Sequence, residues 1–277
     1  MRLVTVIMIL FFGAIHPIQA ISSQSLGIET TAKSVFLFDL TANKIVFVKE
    51  PDVMVPLASL TKLMTALVLY EKGVPENEWV EFKAGDKRNG NIPYLIPGEE
   101  IQKKDLWNLM LMASSNDAVM ALVRTSGFIE EEFVKSMNQK ARQLGLRRLS
   151  FADPTGLNPA NTGSAREITA LARVALSVPK IRETLQKSQY VFTPRGKTKR
   201  KAVATNLLLN SFINQDPYEM IGGKTGYVEE SRYNMVFAVR QKSDNRQLMG
   251  ALLGSETSED RSQEVKGLIY WGFEKAR

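Results

Sequence analysis

Ser59-Leu60-Thr61-Lys62 sets a hydroxyl three residues ahead of an amine, at the start of a helical pattern. At that spacing both side chains lie on one helix face and reach each other. A serine becomes a nucleophile when a neighbouring base takes its proton. A lysine is that base only when burial or a nearby cation destabilises its ammonium form. The free amides and positive dipole end of a helix start favour negative charge developing near Ser59. Ser114-Ser115-Asn116 adds a hydroxyl for proton relay and an amide that both donates and accepts. Lys224-Thr225-Gly226 opens a strand and adds a second cation, a hydroxyl and a residue without a side chain, so that a substrate backbone lies close to the strand edge.

Each pattern alone is weak. Ser177-Val178-Pro179-Lys180 repeats the first, but its proline breaks the helix that the geometry needs. Ser136-Met137-Asn138 repeats the second inside an amphipathic helix, where a solvated face is the ordinary reading. Ser243-Asp244-Asn245 reads as a turn between two strands. The Lys-Thr-Gly triplet occurs once. The order of the three elements decides the matter, because this ordered set is shared by penicillin-binding proteins and class A β-lactamases.

Composition removes the competing chemistries. The 277 residues are 44% hydrophobic and 23% charged, the balance of a globular chain, and include no cysteine. Thiol nucleophiles, thiolate metal sites and disulfides are therefore excluded. The single histidine, His16, falls in a leader: Arg2, an apolar run over residues 3–15, then a small residue at Ala20. That is the pattern of a secretory signal peptide over residues 1–20, and the run is short for a membrane span of about 20 residues. Removal of the leader leaves no imidazole, which excludes a Ser-His-Asp site and His-ligated zinc. Carboxylates and lysines remain as bases. No metal or organic cofactor is expected.

Net charge is +7, or +6 without Arg2. The densest basic run, Arg195-Gly196-Lys197-Thr198-Lys199-Arg200-Lys201, lies beside Pro194 and carries no interleaved aromatics, so it reads as a solvated hairpin loop and no nucleic-acid partner is expected. The expected localisation is exported, periplasmic or extracellular in the cell envelope.

The elements that must position these residues follow from periodicity. Residues 34–40 and 44–48 are β-prone runs around the turn Thr41-Ala42-Asn43. Residues 59–70, 131–144 and 165–176 read as helices, and 106–122 as two helices meeting at Ser114-Ser115-Asn116-Asp117. Residues 234–240 and 247–254 read as strands, and 258–275 as a closing helix. With strands at both ends and helices between, the expected class is α+β: one antiparallel sheet from both chain ends, packed with helices, plus an inserted helical lobe. Residues 21–277 are expected to form one domain of two lobes.

Over nearly the whole chain beyond the leader, from about Ala32 to Phe273, the sequence resembles the low-molecular-mass penicillin-binding proteins, the serine-type D-Ala-D-Ala carboxypeptidases and endopeptidases. The resemblance is carried by Ala58-Ser59-Leu60-Thr61-Lys62-Leu63-Met64-Thr65-Ala66, Ser115-Asn116-Asp117-Ala118, Phe151-Ala152-Asp153-Pro154-Thr155-Gly156-Leu157, Gly223-Lys224-Thr225-Gly226-Tyr227 and Trp271-Gly272-Phe273. It implies a β-lactamase/transpeptidase-like fold and peptidoglycan stem peptides as substrate, with β-lactam antibiotics as covalent inhibitors. It implies that Ser59 is acylated, that Lys62 takes its proton and that Ser114 passes a proton to the leaving amine. Asn116 would hold a substrate amide, Lys224 would add positive potential and Thr225 would bind the terminal carboxylate with Arg261. The amides of Ser59 and Tyr227 would form the oxyanion hole. For Arg261 a surface charge on the last helix is the competing reading.

Three departures from the family pattern stand out. Glu230-Ser231-Arg232 replaces the usual Ala-Gly and is expected to crowd the strand edge. Ser115 stands where Gly is common. The chain ends soon after Trp271-Gly272-Phe273, so neither a C-terminal β-rich domain nor a stable membrane anchor is expected, as in the shorter members linked to endopeptidase activity. A β-lactamase is the nearest rival, yet Pro154 stands where class A enzymes place a glutamate before Leu157-Asn158. A non-catalytic peptidoglycan-binding protein on the same fold is the second alternative.

Overall fold

The structure, a computed structural model, describes residues 28–90 and 92–274. Residues 1–20, expected to be a signal peptide, lie outside the described residues, and His16 with them. The strands are β1 (Ser34–Asp39), β2 (Lys44–Lys49), β3 (Val55–Pro56), β4 (Trp79–Glu81), β5 (Glu100–Gln102), β6 (Thr162–Gly163), β7 (Gln189–Phe192), β8 (Arg200–Val203), β9 (Tyr218–Val228), β10 (Arg232–Gln241) and β11 (Gln247–Ser255). The α-helices are α1 (Lys62–Lys72), α2 (Lys103–Leu111), α3 (Asn116–Thr125), α4 (Glu130–Gln143), α5 (Ala165–Ser177), α6 (Pro179–Leu185) and α7 (Ser258–Glu274).

The main sheet is five-stranded and antiparallel, in the order β2-β1-β11-β10-β9. Both chain ends build it, because β1 pairs with β11 from Ser34 opposite Leu253 to Asp39 opposite Leu248. Its inner strands are apolar on both faces, and both faces are covered. Val35, Leu37, Phe237 and Leu252 pack with Val265, Leu268 and Ile269 of α7. Phe36, Val236, Ala238 and Ala251 pack into the larger core with α1 and α5. Such two-sided burial explains why these strands read as nearly continuous apolar runs rather than as clean alternation. Among the helices between the two sheet-forming ends of the chain, α2 packs on α3, α4 on α1, and α6 on α5. Strand β9 is an edge of the sheet and packs against α6.

One strand begins earlier than expected. Lys224-Thr225-Gly226 does not open a strand; it lies inside β9, which begins at Tyr218. Gly222 and Gly223 hide the strand signal. Both are needed for packing, since a Cβ on Gly222 would stand 2.6 Å from Leu176 and one on Gly223 3.1 Å from Val236 O. The basic run falls in the β7–β8 hairpin as expected, with Arg195 paired to Glu100 and Arg200 to Glu99.

Candidate active site

Three elements converge at the β9 edge. A single 3-10 turn, Ala58–Thr61, carries Ser59 and runs directly into α1, which begins at Lys62. The α2–α3 junction carries Ser114. Ser115, the departure noted above, accepts from Ala118 N and caps α3. Two residues hold positive φ without being glycine at this point: Ala58 at 51° and Ser114 at 62°. Left-handed backbone at such residues costs roughly 1–2 kcal/mol each. Here it aims the Ser114 hydroxyl at β9, where Lys224 Nζ lies 2.8 Å away.

Lys62 is fully buried. Its Nζ lies 2.8 Å from Ser59 Oγ, 2.6 Å from Asn116 Oδ1 and 2.7 Å from Thr155 O. The Asn116 amide is oriented by Nδ2, which donates to Asn89 O at 3.1 Å, so an acceptor faces the amine. A neutral amine has two N–H groups and one lone pair. The carbonyl and the amide oxygen accept the two protons, which leaves the lone pair for the Ser59 hydroxyl to donate into. Burial favours this neutral form. It pulls Lys62 down from 10.5 to about 7, with the Asp153 carboxylate opposing the shift.

Lys224 is buried as well, and burial pushes its ammonium well below the ordinary lysine value, reinforced by the charges of Lys62 and Arg261. Its partners are Ser114 Oγ and its own neighbour's carbonyl, Thr225 O, at 2.9 Å. Arg261 is no surface charge, as it is only 6% exposed. Its Nη2 donates to Ser258 Oγ at 3.0 Å and its guanidinium lies 5.7 Å from the Tyr233 ring centre. Its Nε is buried with no partner among the described residues, and burial lowers the guanidinium to about 10. Three buried basic side chains thus meet hydroxyls, carbonyls and an amide rather than carboxylates. That arrangement attracts an incoming anion.

Gly226 also serves the protein's own packing. A Cβ there would stand 3.0 Å from both Leu57 O and Ser59 N, so the missing side chain lets the nucleophile turn press against β9. The same contact sets the Ser59 amide beside the Gly226–Tyr227 peptide. The Tyr227 side chain is half exposed and leans on Tyr233, with ring centres 4.5 Å apart. Thr225 Oγ1 lies 2.6 Å from Thr205 Oγ1. In the turn Glu230-Ser231-Arg232, Glu230 and Arg232 are exposed, while Ser231 is buried and accepts from Asn234 Nδ2 at 3.0 Å.

The repeated motifs stay outside the site. Ser136 Oγ donates to Glu132 O within α4, Ser177 Oγ donates to Val174 O at the end of α5, and residues 243–245 lie between β10 and β11. Among the described residues no group of His, Asp and Glu is placed to hold a metal ion, and no helix is long and apolar enough to cross a membrane.

The residue reading did not single out Thr205, Asn89 or Asn234. Asn234 is fully buried; its Nδ2 donates to Pro56 O at 3.0 Å as well as to Ser231, and its Oδ1 accepts from Gly254 N at 2.9 Å. One amide therefore ties β10, β11 and the strand that leads into Ser59. The only signal for it is a polar residue at the head of an apolar strand. Thr205 and Asn89 carry no signal, because loops far away in the chain bring them in.

The fold is shared with solved DD-transpeptidase and penicillin-binding-protein structures. The Streptomyces DD-transpeptidase structure superposes with a TM-score of 0.80 over 88% of this chain and 98% of that one, at 23% identity. The family model for D-alanyl-D-alanine carboxypeptidase matches residues 19–257, and the chain belongs to that family. Arg261 lies just beyond the matched span. A D-alanyl-D-alanine endopeptidase of Haemophilus influenzae is 32% identical over 243 residues, 86% of this chain and 80% of that one. D-alanyl-D-alanine carboxypeptidase DacF of Bacillus subtilis is 31% identical over 257 residues, 87% of this chain and 62% of that one.

Proposed function

We propose that the protein is a serine DD-peptidase acting on the D-Ala-containing bonds of bacterial peptidoglycan stem peptides. The observation that carries this reading is the Lys62 amine, buried, held by two acceptors and 2.8 Å from Ser59 Oγ. Ser59 Oγ attacks the carbonyl carbon of the D-Ala residue that precedes the scissile bond, while Lys62 takes the hydroxyl proton. The amides of Ser59 and Tyr227 receive the oxyanion. The C–N bond then breaks, Ser114 passes a proton to the departing amine, and an ester on Ser59 remains. Water hydrolyses that ester, which returns the hydroxyl and releases the shortened peptide. Asn116 keeps the Lys62 amine in place as well as facing the substrate. Lys224, Thr225 and Arg261 bind the carboxylate of the leaving D-residue, whose charge fits the buried cations around it.

D-Ala-D-Ala carboxypeptidase activity is the favoured form and endopeptidase activity the alternative; relatives of both names are similar to the chain. β-Lactams acylate the same hydroxyl. Turnover of that adduct is slow, because Pro154 is not a carboxylate and both oxygens of Asp153 are filled by hydrogen-bond donors. A non-catalytic binding role is disfavoured by the complete base geometry at Ser59. The substrate lies outside the cytoplasmic membrane, in keeping with residues 1–20 read as an export signal.

The test is a mass measurement after incubation with penicillin. The parent gains one adduct and Ser59→Ala gains none; an adduct on Ser59→Ala, or none on the parent, defeats the reading. Product analysis then separates the two activities, since carboxypeptidase action releases terminal D-Ala from pentapeptide and endopeptidase action opens cross-linked muropeptides.

A further inference from the structure

The segment that carries the nucleophile and base is gripped four times by one loop. Leu57 N donates to Asn161 O at 2.7 Å. Gly156, at φ 90°, lies so close to Ala58 that a Cβ would stand 1.9 Å from Ala58 O. Thr155 O accepts from Lys62 Nζ at 2.7 Å, and Pro154 O accepts from Thr65 Oγ1 at 2.6 Å. Loops of this kind do not hold a shape by backbone pairing, so something must fold this one.

Asp153 is that organiser. It is only 9% exposed. Its Oδ1 accepts from Thr155 N at 2.5 Å, Thr155 Oγ1 at 2.6 Å and Gly156 N at 2.7 Å. Its Oδ2 accepts from Asn158 N at 2.6 Å and Asn161 Nδ2 at 3.0 Å. Asn161 closes the ring, as its Oδ1 accepts from Ala152 N at 2.6 Å. All of these donors belong to the loop itself. A carboxylate is needed here because five donors converge and an amide would present its own N–H groups to some of them.

We propose that Asp153 is a positioning residue for the base: its carboxylate folds residues 153–161 around itself, so that the loop holds Ser59 and Lys62 in reacting geometry and a negative charge stands behind the amine. This inference rests on the reading of Ser59 and Lys62 given above. The charged groups that face Lys62 are Asp153 from the loop and Lys224 from β9, with Arg261 of α7 behind Lys224. Without Asp153 only cations remain, and the ammonium form of Lys62 is destabilised further.

The experiment measures the rate of acylation by a β-lactam from pH 5 to 9, with thermal melting alongside, for the parent, Asp153→Asn and Asp153→Glu. In Asp153→Asn the plateau rate falls roughly 10- to 100-fold through lost positioning, and the acid limb moves to lower pH. In Asp153→Glu the charge stays but the geometry changes, so the plateau falls and the limb stays where it is in the parent. A limb that does not move in folded Asp153→Asn, or a plateau equal to that of the parent, overturns the proposal. If Asp153→Asn does not fold, Thr155→Val carries the test: it removes one hydroxyl donor and keeps the charge, and a plateau equal to that of the parent overturns the proposal. Absence of acylation in the parent would instead defeat the reading of Ser59 and Lys62, so the two failures are distinguishable.

Discussion

Gly156 rests directly on the Ala58 carbonyl, one residue ahead of the Ser59 hydroxyl, and this contact locks a loop and a helix start that are almost a hundred residues apart in the chain. Both partners hold positive φ, 90° at Gly156 and 51° at Ala58. The strain at Ala58 persists because the loop and β9 enclose it from two sides.

Gly156→Ala tests that enclosure. The new methyl meets backbone, not a flexible side chain, so the main chain must shift. Overpacking and a disfavoured φ together cost about 2–5 kcal/mol. We expect the melting temperature to fall by roughly 5–15 °C and β-lactam acylation to fall more than about tenfold. Acylation kinetics and a thermal melt check both.

The pH profile tests Lys62. With burial holding the amine near 7, acylation rises as pH increases towards about 7 and levels off above it, because only the neutral amine takes the Ser59 proton. Lys62→Met keeps the shape and loses the base, and the acylation rate falls at least about 100-fold at every pH. A parental pH profile in Lys62→Met would rule out the assignment.

Stability follows the same proton. In the unfolded chain lysine stays protonated up to about 10.4, whereas folded Lys62 releases its proton near 7. The unfolded state binds more protons between these values, so this contribution to stability grows as pH rises there and is lost as pH falls through about 7. Lys224 acts in the same direction. Melting temperatures from pH 6 to 9 should climb in the parent and climb less in Lys62→Met.

Arg261 is predicted to read the substrate carboxylate. A charge-assisted hydrogen bond contributes about 1.5–3 kcal/mol, so Arg261→Leu should weaken turnover of a peptide with a free terminal carboxylate roughly 10- to 100-fold. A peptide amidated at that end should lose much less. Equal losses on both peptides would show that Arg261 is structural only.

Asn234→Ala should act through the lead-in to Ser59. It strands Pro56 O, Ser231 Oγ and Gly254 N, each buried group costing about 1–3 kcal/mol. Ser231→Ala breaks one of those bonds, so a smaller drop in melting temperature is expected. Thermal melts of the two variants give the comparison.

The local sequence determined a good deal here. The helices at 62–72, 116–125 and 165–177 and the hairpins of the sheet are set by spacing and turn chemistry that act over a few residues. The absence of cysteine, and of histidine beyond residue 16, left carboxylates and lysines as the bases for a serine. Tertiary structure alone decided that Lys62 is buried among acceptors, that Arg261 turns inward to Lys224, and that Gly226 makes room for the nucleophile turn. It also brought Thr155, Asn89 and Asn234 to that segment. The physical reason is that protonation and reactivity depend on desolvation and on partners from distant loops, and neither is encoded in residue type or in spacing along one element.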